Sequence, residues 1–217
     1  MTADLPPSAR LRFRLLEAFE PRAAEMGWTQ AAFEAATADA GLSEGEAMLA
    51  CPGGPVDLAD AFAERADQAM LEALAAQDLA AMRVRDRVRA AVRVRLEAQI
   101  PRKLAARAMT RALAHPMRAG EAARLLWRTS DRIWRALGDP STDFNFYTKR
   151  AILSGVLAST YARWFSDDSA DMADTWAFLD DRIENVMQFE KAKAQLKPLG
   201  GAAEAALGFA ARLRYGR

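Results

Sequence analysis

The chain has one cysteine and one histidine in 217 residues. A lone Cys51 excludes an intrachain disulfide, and with His115 as the only imidazole no ordinary zinc cluster can be assembled. The same scarcity removes Ser-His-Asp and Cys-His catalytic sets, and His115, just before Pro116, reads as a helix-end residue rather than a base. No Gly-x-Gly-x-x-Gly or Gly-x-x-x-x-Gly-Lys loop is present to cradle a phosphate. No apolar run approaches the roughly 20 residues that a spanning helix needs. Charge of one sign is also missing: 30 basic residues face 29 acidic ones, a net +1. These absences argue against an enzyme and call for no metal or cofactor.

What is there is helix. The chain is 51% hydrophobic and rich in alanine and leucine, and no stretch alternates strictly with β-branched residues, so it reads as all-α with about ten helices. Proline and glycine punctuate it. Ser8 is expected to cap a first helix that Pro21 ends or kinks. Thr29 caps a second, from Gln30 to Ala40, which stops at Gly41, and Ser43 caps a short third. Three units follow from this punctuation: 1–51, a helix-turn-helix layout; 52–197, a helical core opened by the turn Pro52-Gly53-Gly54-Pro55; and 198–217, a hinge followed by a detached helix.

The first unit has the order of a nucleic-acid reader without its charge. No lysine or arginine occurs from Ala23 to Glu64, the would-be recognition helix opens Glu44-Gly45-Glu46, and between Arg10 and Ala50 four arginines stand against seven acids. Phosphate contacts supply most DNA affinity, so nucleic acid is not an expected partner. In the core, ten basic residues between Arg83 and Arg111 face only Asp86 and Glu97. Val84, Val88, Val92 and Leu96 recur every four residues, which leaves the arginines to a solvated face or an anionic partner.

The aromatic residues gather late. Eleven of the eighteen lie between Trp127 and Phe189, and the segment 151–165 carries Arg163 as its single charge, the mark of a helix buried on all sides. Carboxylates from Asp167 to Glu184 invite a di-iron reading, but such sites need two Glu-x-x-His pairs and the chain has one histidine. The carboxylates are better read as helix-start caps. Three helices, about 120–137, 142–165 and 169 onward, thus face one another. Ile133, Trp134, Leu153, Val156, Leu157, Trp164, Trp176, Leu179 and Ile183 are expected to line an elongated apolar pocket between them. The warrant is large side chains beside the small Ser154, Gly155, Ala158 and Ser159, a pattern that fits close helix packing as well as a ligand.

The run GDPSTDFNFYTKRAILSGV, followed by DDSADMADTWAFLDDRIENVMQFEKAKA, resembles the signature of the coenzyme Q biosynthesis accessory family, the "Coq-nine" proteins. The similarity extends backward through AGLS, CPGGPVDLADAFAERAD and LAAMRVRDRVRAAVRVRLEA. It implies a tetracycline-repressor-like fold with a degenerate helix-turn-helix. It implies a non-catalytic protein that binds an isoprenoid quinone or other lipid and presents a quinone intermediate to a di-iron hydroxylase at the membrane. The alternative is a repressor-type regulator with an apolar effector. By the same resemblance Asp143, Asn145, Phe146, Tyr147 and Arg150 form a patch for the hydroxylase, with Phe146 standing where the family has tryptophan. Leu199, Leu207, Phe209 and Leu213 are the apolar face of a C-terminal amphipathic helix that touches membrane, or else packs on its own domain or a second subunit. The start MTADLPPSARLR shows no basic leader before an apolar run, so a cytoplasmic place, peripheral on the inner membrane face, is expected. A homodimer is left open.

Overall fold

The computed structural model describes residues 6–142, 144–189 and 191, and among these all regular structure is helical. The elements are α1 (Pro7–Met26), α2 (Gln30–Asp39), α3 (Glu44–Ala50), α4 (Pro55–Ala75), α5 (Val84–Glu97), α6 (Lys103–Leu113), α7 (Ala119–Ala136) and α8 (Phe144–Phe165). A further helix, α9, covers 173–189. Short 3-10 turns at Leu79–Ala81, Ile100–Arg102, Pro116–Arg118 and Ala170–Met172 make the corners. The hinge and C-terminal helix expected at 198–217 lie outside the described residues, as do Leu199, Leu207, Phe209, Leu213 and Asp143.

The caps are local chemistry. Thr29 accepts from the Ala32 amide, and Ser43 with Glu46 forms a reciprocal capping box, so two otherwise unsatisfied amides at the start of α3 find partners. Gly41 takes a φ of +59° just past α2, a left-handed turn that glycine adopts without penalty. Two expectations are corrected. α1 starts at Pro7 on an N-cap at Pro6 rather than at Ser8, because proline already has helical φ and no amide to satisfy. α1 also runs through Pro21 to Met26. Burial of Phe19 and Ala23 on either side outweighs the single hydrogen bond that Pro21 cannot make.

α1 is the strut that joins the first three helices to the core. Its Leu15, Leu16, Phe19 and Ala23 are buried. Phe19 meets Trp28 edge to face at 4.7 Å, Trp28 meets Phe62 of α4 at 5.7 Å, and the Trp28 indole donates to the Pro55 carbonyl at 2.6 Å. Cys51, just past α3, is 1% exposed within the same core. Across α4 and α7 a second device operates. Asp60, Glu64 and Asp67, one helical face of α4, pair with Arg124, Arg128 and Arg132, one face of α7.

At least half of the ten basic residues of the α5 and α6 run have partners in the fold, and only Arg95 of them is buried. Arg89 pairs with Asp86 and Asp180, Arg93 with Glu97, Arg95 with Asp67, and Arg102 with Glu20. Lys103 donates to the Asp167 carbonyl at 2.8 Å. The valine stripe holds only in its second half. Val92 and Leu96 are buried while Val84 is 57% exposed, and Arg95 is buried where a solvated arginine was expected. α8 is likewise not buried on all sides. Arg150, Leu153, Val156, Leu157, Thr160 and Trp164 face inward, and Phe144, Tyr147, Ala151, Gly155, Ala158 and Ala162 form one exposed stripe. Small residues score as apolar but lose little by facing water, so their hydropathy overstated the burial of the helix.

Candidate functional site

The site is built on the corner between α7 and α8. Gly138, at φ +74°, reverses the chain after α7, and Asp139 turns inward behind it. The Lys149 ammonium donates to the Asp139 carboxylate at 2.6 Å and to the Ser141 hydroxyl at 2.7 Å. Burial opposes the Asp139 charge, but Lys149 and Ser141 outweigh it and hold the carboxyl below its usual range. Arg150 is 1% exposed, and its guanidinium donates to Asp131 at 2.7 Å, to Asp139 at 3.4 Å and to the Phe146 carbonyl at 3.1 Å. It also stacks on the Phe146 ring at 3.4 Å. The corner is therefore clamped before any ligand arrives.

Outside the clamp the aromatics are presented to solvent. Phe144 is 76% and Tyr147 61% exposed. Tyr147 is stacked on Trp127 of α7 at 6.2 Å and touches Phe146 edge-on at 5.1 Å, so the exposed ring is held in place. Of the five residues expected in a docking patch, four are described: Asn145 and Tyr147 are exposed, Phe146 is half-buried, and Arg150 lies inside as a support. Asn145 turns to the neighbouring cavity.

That cavity lies between α5, α7, α8 and α9 and has a volume of about 310 Å³. Trp134, Ile152, Leu153, Val156, Ile183 and Val186 give it apolar walls, and Asn145, Thr148 and Lys149 stand at the first turns of α8. The Trp134 indole donates to the Lys149 carbonyl at 3.1 Å, which fixes the ring on the wall. Arg85 also borders the cavity, and its Nε is buried with no hydrogen-bond partner. Among the nine residues expected to line a pocket, the structure brings Trp134, Leu153, Val156 and Ile183 together here. Ile133, Trp164 and Leu179 are buried core side chains nearby, and Leu157 borders a separate cavity on the other side of α8. Trp176 points elsewhere, under the Arg93 guanidinium at 4.8 Å, with its indole donating to the Asp171 carbonyl at 2.9 Å. Gly155 stands on the exposed face with open space around it, so small residues are not what makes the room. Val84 and Val88 of α5 also line the cavity, and their four-residue spacing had marked them as inward without saying against what.

The α8–α9 corner shows what the carboxylates do. Asp167, 3% exposed, accepts from the amides of Ser169 and Thr175 at 2.8 and 2.7 Å and from both their hydroxyls at 2.5 Å. Burial opposes its charge, yet these hydrogen bonds hold the carboxyl far below the usual carboxylate range. Asp174 pairs with Arg163 and Asp180 with Arg89. Among the described residues no group of His, Cys, Asp and Glu could hold a metal ion.

The corner, the exposed tyrosine and the apolar cavity fall almost wholly within one stretch of chain. Residues 119–190 match the COQ9 family model. Over 78 residues the chain is 44% identical to the mitochondrial ubiquinone biosynthesis protein COQ9 of Rattus norvegicus, which covers 36% of this chain and 25% of that protein. The Homo sapiens COQ9 protein is 40% identical over 78 residues, with 36% and 24% covered. The probable coq9 protein of Dictyostelium discoideum is 33% identical over 89 residues, with 41% and 29% covered. The chain thus spans about a quarter of the length of the curated relatives it matches. All three of these relatives are named as mitochondrial. Outside the COQ9 segment the likeness is one of fold. A TetR transcriptional regulator from Nitrosomonas europaea ATCC 19718 superposes with a TM-score of 0.62 at 20% identity, covering 80% of this chain and 95% of that one. The fold is TetR-like and all-helical. Among the described residues no helix is long and apolar enough to cross a membrane.

Proposed function

We propose that the chain is a non-catalytic accessory protein of ubiquinone biosynthesis that holds an isoprenoid quinone or related lipid between α5, α7, α8 and α9. On this reading it offers that ligand to a di-iron quinone hydroxylase docked on the surface around Phe146 and Tyr147. The observation that carries the reading is an adjacency. The apolar cavity opens beside the first turns of α8, the same turns that expose Phe144 and Tyr147, and apart from the α5 wall of the cavity both lie in the stretch matching COQ9. A lipid entering there would have its polar end near Lys149, Thr148 and Arg85 and its apolar part against Leu153, Val156 and Ile183. Aromatic side chains held rigid on a surface are common anchors of protein interfaces. Peripheral membrane contact through residues 198–217 belongs to the same proposal, as does a cytoplasmic-side location. Nucleic acid does not, because α3 opens with Glu44 and Glu46 and phosphate contacts need the opposite charge.

The test is extraction of the purified full chain with organic solvent and mass spectrometry of what it released. An isoprenoid lipid is expected from the wild type and none from Val156→Phe, which fills the cavity, while Tm stays nearly unchanged. Tyr147→Ala should keep the lipid and lose co-purification with the hydroxylase. No extractable lipid from the wild type, together with a loss of about 1–3 kcal/mol in Val156→Phe, would identify the space as ordinary tight core.

A further inference from the structure

The cavity between α5, α7, α8 and α9 opens beside the first turns of α8, where Asn145, Thr148 and Lys149 stand. Another of its walls is the seam between α8 and α9, and that wall is thin. Ile152, Val156 and Val186 line the cavity on one side of the seam and, on the other, a shallow outer groove of about 320 Å³. Gly155 and Ser159 of α8 and Arg182, Asn185 and Phe189 of α9 complete the groove. Gly155 leaves it open, with nothing within 4 Å of where a Cβ would stand, and Phe189 borders it at 61% exposure.

The two halves of α9 are held differently. In its first two turns the Thr175 amide and hydroxyl donate to Asp167, the Trp176 indole donates to the Asp171 carbonyl and lies under Arg93, Asp174 pairs with Arg163, and Asp180 pairs with Arg89. From 181 to 189, among the described residues, the polar contacts stay inside the helix: Arg182 lies over the Phe178 ring at 5.1 Å, and Gln188 donates to Glu184 at 3.5 Å. Ile183 and Val186 hold this half to its neighbours by apolar contact. Such contact is non-directional, so side chains at the seam can part and close again without breaking a hydrogen bond.

Size decides where a long ligand goes. An apolar cavity of about 150 Å³ holds one benzene ring, so a cavity of about 310 Å³ holds a head ring and about one isoprene unit. With the polar end at Lys149 and Thr148, the chain runs past Leu153 and Val156 and meets the seam. We propose that an isoprenoid longer than the cavity crosses the α8–α9 seam between Val156 and Val186 and lies in the outer groove against Gly155 and Phe189. The inference rests on the reading that the cavity holds an isoprenoid quinone or related lipid. It adds the other half of the site and a preference for chains of several units.

Two ubiquinones with the same ring test this on the full chain, one with a single isoprene unit and one with four. Their Kd values are read from quenching of tryptophan fluorescence, to which Trp134 on the cavity wall contributes. Gly155→Leu fills the outer groove, and leucine is a better helix former than glycine, so Tm should not fall. The variant is expected to weaken the four-unit quinone about tenfold, the worth of burying roughly two methylenes, and to leave the one-unit quinone as it was. Phe189→Ala removes the edge of the groove instead of filling it, and should weaken the four-unit quinone alone. A four-unit Kd that either variant leaves unchanged overturns the proposal, and so does an equal loss for both quinones in a protein of normal Tm. Failure of the underlying reading looks different: neither quinone then quenches the wild type saturably, and the groove falls with the cavity.

Discussion

Among the described residues, the first three helices and the last three solve opposite problems. In α1–α3 the pattern is ordinary: apolar Leu15, Leu16, Phe19, Trp28 and Phe33 are inside, while the ion pair of Arg22 with Asp39 lies on the surface. In α7–α9 the pattern is inverted at several points. Arg150, Asp167, Thr160 and Thr175 are buried, and Phe144, Tyr147 and Phe189 are exposed. Buried charge costs free energy unless fully paired, as Arg150 and Asp167 are, and exposed aromatics invite association. Locally broken rules of this kind cluster at functional sites. The inverted pattern falls in the stretch that matches COQ9, about a third of the chain, and the ordinary pattern falls outside it.

The sharpest way to break the contrast is to remove the buried cation. Arg150→Leu leaves Asp139 with Lys149 as its cationic partner and strips the Phe146 carbonyl of a donor. A loss of about 3 kcal/mol in urea unfolding is expected, as for one member of a buried pair. A loss near zero would show that the clamp is dispensable. Next in size is Asp167→Asn, which replaces an acceptor of four hydrogen bonds by a side chain that must turn a donor toward the Thr175 amide. It should cost about 2–3 kcal/mol. The pH dependence checks the cause. Because the folded pKa of Asp167 is depressed, its contribution is complete above the ordinary carboxylate range and is lost as pH falls through the folded value. The stability gap between wild type and variant should be constant from about pH 8 to pH 5 and shrink only below about pH 4. The smallest effect is expected from Arg22→Gln in the first half. It removes a well-formed but exposed ion pair and should leave Tm unchanged within measurement. A drop comparable to that of Arg150→Leu would erase the contrast between the two halves.

Much of the scaffold was legible because helix ends are written locally. Thr29, Ser43, Gly41 and Pro55 each act within a few residues of themselves, and each stands where the sequence placed it. Long-range facts were not legible. Arg95 looked like one more residue of a solvated basic face, and only its meeting with Asp67, 28 positions away, makes it core. The cavity walls needed the approach of α5 to α8 and α9, so Trp134, Leu153, Val156 and Ile183 could be named while Val84 and Val88 could not be assigned to them. Gly155 misled for the reason that α8 did: a small side chain has a similar hydropathy inside and outside, and periodicity alone cannot orient it.

Cys51 turns the scaffold half into its own stopwatch. The thiol sits just past α3, shielded by the core, and burial pushes its pKa up to about 11, so at pH 7 only about one molecule in ten thousand carries the reactive thiolate. With no second cysteine in the chain, every alkylation adduct reports exposure of this one thiol. Exposure of the thiol can thus be timed without adding a label.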